Sequence, residues 1–140
     1  MRFLLDTNVI SELRKSRTGR ANPQVVNWAV SVPVQDLFIS VITVQEIETG
    51  ILLIERRDPG QGKMLRVWFE EQVLKAFAGR MLDIDLQVAR RDASLHVPDV
   101  RPFRDALVAA TALVHGMTVV TRNESDFHGT GVRVLNPWNE

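Results

Sequence analysis

The chain reads as α/β, a parallel sheet covered by helices on both faces. Two observations predict this: short apolar runs alternate with helical periodicities from end to end, and the runs are too oily to alternate in and out as a one-faced sheet would. A third is that acids recur just beyond the apolar runs, where ligands of such sheets bind.

In order, Phe3-Leu4-Leu5 reads as the first strand, and Thr7 to Leu13 carries the three-and-four apolar spacing of a short helix. Asn22-Pro23 opens a second helix with a cap and a proline at its first position, followed by Val25, Val26, Trp28 and Ala29. Leu37 to Val41 is a buried strand. Val44, Ile47, Ile51 and Ile54 step as a helix until Asp58-Pro59-Gly60 breaks it. Met64 to Phe77 is a long helix ended by Gly79, Met81-Leu82 a short strand, and Asp85 the cap of a helix through Val97. After a loop from Pro98 to Pro102, Ala106 to Val114 is apolar nearly all round, a buried helix closed by Gly116. Met117 to Val120 and Val132 to Leu135 are the last strands.

With 140 residues, the chain holds a single domain, 1–140, able to bury about two-thirds of its unfolded surface. Neither repeat nor linker divides it. The absence of cysteine excludes disulfides, thiolate metal sites and a thiol nucleophile. Asp6 interrupts the first apolar run too early for a signal peptide, and no run approaches the roughly 18 to 20 residues that span a bilayer. The expected location is cytoplasmic, with no membrane partner. Net charge is zero, so any polyanion must be met by a local patch rather than a global field. All basic residues but Lys15, Lys63 and Lys75 are arginine.

Asp6 follows the first strand, Glu46 lies in the first turns after the second, and Asn123 and Asp126 follow the strand at 117–120. Asp105 opens the buried helix and comes to the same edge if that helix runs back against the strands. Carboxylates crowded together cannot all stay ionised unaided. A divalent cation removes the conflict, and an all-oxygen donor set favours Mg²⁺ or Mn²⁺ over Zn²⁺. Each acid also has a structural explanation. Thr43-Val44-Gln45-Glu46 matches a capping box, Asp105 can complement a helix dipole, Asn123 can cap a turn with Asp126 merely solvated, and Asp6 can be a helix N-cap. Asp83 and Asp85 read as structural, and His96, His115 and His128 are scattered.

"LLDTNVISEL" at 4–13, "ITVQEIETG" at 42–50, "DALVAATALVHGMTVVTRNESDF" at 105–127 and "NPW" at 136–138 together resemble PIN-domain ribonucleases, in particular VapC-type toxins of the FitB-like branch. The motifs cover nearly the whole chain in the family's order. The resemblance implies a three-layer α/β/α sandwich around a parallel five-stranded sheet and Mg²⁺- or Mn²⁺-dependent hydrolysis of RNA. Asp6, Glu46 and Asp105 match the family's metal-holding acids, and Thr121 its orienting hydroxyl. Asn123 stands where a fourth acid is usual, which leaves that place to Asn123 or Asp126. The resemblance also implies a homodimer, a cognate VapB-type antitoxin, and operator DNA contacted through that antitoxin. Ile51, Leu52, Leu53, Ile54, Val67 and Trp68 are divided between core and partner surface. Two rival readings are a catalytically idle PIN-like binding module and an Asp6-nucleophile phosphatase or receiver. The latter is disfavoured because Asn8 replaces its second acid and no lysine follows a late strand.

Overall fold

The computed structural model describes residues 1–139. Five strands, β1 (Phe3–Leu5), β2 (Leu37–Ser40), β3 (Met81–Leu82), β4 (Thr118–Val120) and β5 (Val134–Leu135), form one sheet in the order β3-β2-β1-β4-β5. Every pairing is parallel. Six α-helices connect or flank them: α1 (Thr7–Arg14), α2 (Pro23–Ser31), α3 (Val41–Arg57), α4 (Pro59–Trp68), α5 (Leu86–Leu95) and α6 (Phe103–His115). None of them is long and apolar enough to cross a membrane.

Side-chain alternation along the strands separates two cores. Phe3, Leu5, Leu37, Ile39 and Val120 face α1 to α4, where Val9, Ile10, Val25, Ile47, Ile51 and Leu65 meet them. Leu4, Val119 and Val134 face the other way, onto Val108, Ala109 and Ala112 of α6. The result is the expected α/β/α sandwich. Because β1 sends the chain outward to β2 and β3, and α6 returns it to β4 on β1's other side, the strand order reverses between β1 and β4. In sheets of this kind ligands bind at such a switch point, beyond the carboxyl ends of the strands.

Several predicted boundaries move, for local reasons. Val41 is the first residue of α3 and not the last of β2, because Ser40 caps the helix, its Oγ accepting from the Ile42 N–H at 3.0 Å. The capping box at Thr43 to Glu46 is therefore not a helix start. Thr43 lies fully buried within the first turn, its hydroxyl without a hydrogen-bond partner among the described residues. The long helix begins earlier, at Pro59 under an Asp58 cap, and widens into a π-helical stretch over Phe69–Leu74 that buries Phe69 and Val73. α5 stops at Leu95 rather than Val97, since the residue before Pro98 is steered out of helical geometry. β4 starts at Thr118 and β5 at Val134. Asp85 caps α5 as expected, accepting from the Val88 N–H at 2.9 Å. Of the apolar residues divided between core and partner surface, Ile51 is core, Ile54 and Trp68 pack on it half-buried, and Leu52, Leu53 and Val67 are exposed.

Arg66 ties α4 to its neighbours, reaching Glu48 at 2.5 Å, Glu55 at 3.3 Å and Glu70 at 3.6 Å. α3 and α4 come together where Gly62 meets Glu55. A Cβ on Gly62 would lie 2.6 Å from the Glu55 Cα and Cγ and 2.9 Å from its backbone nitrogen.

Candidate active site

Acids from four elements gather beyond the carboxyl ends of β1 and β4. Asp6 ends β1 and is only 9% exposed. It is also the N-cap of α1, as the structural explanation expects: Oδ1 accepts from the Thr7 N–H at 2.9 Å. Oδ2 accepts from the Thr121 hydroxyl at 2.8 Å and from the Asn8 amide at 3.3 Å. Glu46, half-buried on α3, accepts from the Thr7 hydroxyl at 3.1 Å. Asp105 stands in the first turn of α6, which delivers it to this edge because α6 runs antiparallel to the strands.

Their electrostatics show that the acids share one neighbourhood. Burial pushes the Asp6 carboxyl above its ordinary value, the hydrogen bonds from Thr121 and Thr7 pull it back, and the charge of Asp126 pushes it up again. Burial also raises Glu46, against the Thr7 hydroxyl and the Arg104 guanidinium, with Asp6 adding to the rise. Asp105 is pushed up to about 6, first by burial and then by the charges of Asp126, Asp6 and Glu46. Asp126, exposed in the 3₁₀ turn Glu124–Phe127, acts on both Asp6 and Asp105. Asn123 enters through its backbone, the N–H donating to the Thr121 Oγ1 at 3.0 Å, and it makes no side-chain cap to the turn.

Among the described residues, no group of three His, Asp or Glu side chains is gathered tightly enough to grip a metal ion as it stands. The donor set nevertheless fits a hard divalent cation by atom type and charge. Its oxygens are carboxylate, and a positive ion relieves the repulsion that raises Asp6, Glu46 and Asp105.

A profile of the PIN domain matches residues 3–131. The chain belongs to the PIN-domain family. This PIN domain is 38% identical over 144 residues to VapC ribonuclease Y4jK of Sinorhizobium fredii, with 97% of each chain covered. It is 38% identical over 145 residues to toxin FitB of Neisseria gonorrhoeae, with 99% of each covered. Its fold matches the crystal structure of FitAcB from Neisseria gonorrhoeae with a TM-score of 0.87 at 35% identity, over 99% of both chains. A structure of FitAB bound to a DNA fragment matches at 0.84 and 37% identity, over 97% of this chain and 95% of that one.

Two contributors to the site of this PIN domain escaped the sequence reading. Thr7 holds both Asp6 and Glu46, and Asn8 contacts Asp6, Thr121 and the Arg122 N–H. Their position directly after Asp6 is the only signal in the sequence. Apart from the adjacent Asp6, their partners lie 39 to 114 residues away, so those contacts follow from topology.

The raised acids set a pH dependence of stability. The folded-state pKa of Asp105, about 6, lies above its unfolded value of 3.8. On this group's account stability is fully present below pH 3.8 and is lost as pH rises through about 6. Glu12 runs oppositely. The Asn22 N–H foremost lowers it from 4.5, so its contribution is present above 4.5 and lost as pH falls below. On these groups alone, metal-free protein is expected to melt highest near about pH 4 and to lose melting temperature toward pH 7. Asp105→Asn should flatten that decline in melts followed by circular dichroism.

Proposed function

We propose that the protein is the toxin of a VapBC-type pair, an endoribonuclease that cleaves RNA in the cytoplasm with Mg²⁺ or Mn²⁺ as cofactor. The observation that carries the reading is the convergence of Asp6, Glu46, Asp105 and Asp126 beyond the carboxyl ends of β1 and β4, each of the first three held above its ordinary pKa. The names of the relatives, a VapC ribonuclease and a toxin, supply the biological setting.

Asp6, Glu46 and Asp105 would hold the cation, and Asp126 takes the fourth acidic place that Asn123 leaves uncharged. When bound, the ion supplies activated water at neutral pH and compensates the charge of the phosphodiester under attack. The chain's own residues orient the acids. The Thr121 hydroxyl fixes Oδ2 of Asp6, the Thr7 N–H its Oδ1, and the Thr7 hydroxyl turns Glu46 toward Asp6.

The partner is a cognate VapB-type antitoxin, in keeping with the FitAcB and DNA-bound FitAB complexes, and operator DNA is met through it. The toxin itself forms a homodimer in that assembly. Leu52, Leu53, Met64 and Val67, exposed on α3 and α4, give the antitoxin apolar surface to cover.

The test is a calorimetric titration of purified, antitoxin-free protein with Mn²⁺, paired with cleavage mapping on total RNA. Binding with metal-dependent cleavage supports the nuclease. No heat at millimolar Mn²⁺ and intact RNA would overturn it in favour of an idle binding module.

A further inference from the structure

We infer that Asn8 is a positioning residue that fixes the direction of the Thr121 hydroxyl proton and latches the 121–126 segment, with its Asp126, onto Asp6. The inference deepens the nuclease reading and rests on it only where metal affinity is concerned.

The orientation of the Asn8 amide follows from one neighbour. The Arg122 backbone N–H, a donor, lies 3.1 Å from Oδ1, so the carbonyl oxygen must face Arg122 and the NH₂ group must face the site. From there Nδ2 donates to the Thr121 Oγ1 at 3.1 Å and to the Asp6 Oδ2 at 3.3 Å. Thr121 is fully buried, and its oxygen receives a second donor, the Asn123 N–H, at 3.0 Å. A hydroxyl has one proton to give and two lone pairs to offer. With both lone pairs engaged by N–H groups, the Thr121 proton has a single acceptor left, the Asp6 Oδ2 at 2.8 Å.

Without Asn8, one lone pair of Thr121 is freed, the Arg122 N–H loses its acceptor, and the segment carrying Asn123 and Asp126 is held to the β1–α1 corner by fewer bonds. The side chain thus controls both the orientation of the most buried acid and the approach of the acid that takes the fourth place, while touching neither substrate nor cation. Groups that orient ligands from behind in this way change metal affinity or activity by about 10- to 100-fold when removed.

The experiment compares wild type, Asn8→Ala and the isosteric Asn8→Asp, which sets oxygens against Thr121 and Asp6 where donors stood. In metal-free protein, amide hydrogen exchange should show the Arg122 and Asn123 N–H groups protected in wild type and both deprotected in Asn8→Ala. The Thr121 N–H, bonded to the Leu135 carbonyl at 3.0 Å, should stay protected and report an intact sheet. Mn²⁺ affinity by calorimetry should fall about tenfold or more in Asn8→Ala and further in Asn8→Asp. If only Arg122 loses protection, Asn8 is a local latch with no hold on Thr121, and the inference fails. It fails equally if both variants bind Mn²⁺ within twofold of wild type. Wild type that gives no Mn²⁺ heat overturns the nuclease reading instead, and the exchange pattern still decides the role of Asn8.

Discussion

Glu46→Gln should lower metal-dependent RNA cleavage by on the order of 10²- to 10³-fold, the range met when one charge-stabilising group is removed from an active site. The same protein should melt no lower than wild type at pH 7.5. Both expectations come from the surroundings of Glu46. The glutamine carbonyl still accepts the Thr7 hydroxyl bond that Oε1 now receives. The start of α3 is secured by Ser40, so no cap is lost. Removing the charge also relieves Asp105, which Glu46 pushes upward. Activity and stability thus respond differently to one change, as they do where acids are crowded for function. Cleavage by the variant at the wild-type rate, measured on a defined RNA in Mn²⁺, would show that Glu46 is no part of the machinery.

Gly62→Ala should cost about 2 to 3 kcal/mol of stability, the cost of forcing an atom into a packed contact that cannot yield. The added Cβ meets the Glu55 Cα at 2.6 Å and its backbone nitrogen at 2.9 Å. Backbone cannot rotate aside as a side chain would, so α3 and α4 must separate, and the Arg66 bridges to Glu48 and Glu55 must lengthen with them. For a chain of this size the melting temperature should fall by about 10 °C. Gly50→Ala is the control. Nothing lies within 4 Å of a Cβ there, so in the middle of α3 it should raise stability by about 0.5 to 1 kcal/mol through helix propensity alone. Equal melting temperatures for the two variants would mean that the helices do not meet as described.

The strands and most helices were legible because each is announced locally. Asn22-Pro23 and Asp85 are caps whose chemistry is complete within four residues, and Gly116 ends α6 with a φ of 66° that favours glycine. The errors share a different cause. Thr43 to Glu46 matches a capping box in text, but Ser40 lies one turn earlier and has the same chemistry, and only the end of β2 decides which of them caps. The π-helical widening at Phe69–Leu74 leaves no mark, since its apolar spacing continues that of α4. Asp6, Glu46 and Asp105 could be picked out as acids beyond apolar runs. That Asp126 acts on Asp6 and Asp105 was open until the 3₁₀ turn was seen to bring it there. Asn8 looked like a missing acid and proved to be a donor, because Thr121, just after β4, is brought beside it.

The position of β1 in mid-sheet bears on when the acidic cluster can be completed. The earliest strand in the chain has its flanking partners at Leu37–Ser40 and Thr118–Val120, so during translation it waits, half-paired, for nearly the whole polypeptide to emerge. Such distant pairings assemble slowly and late. A nascent chain still lacking Thr121 has Asp6 without its hydroxyl partner and Asp105 without Asp126, so the acidic cluster is completed only when the chain nearly has been.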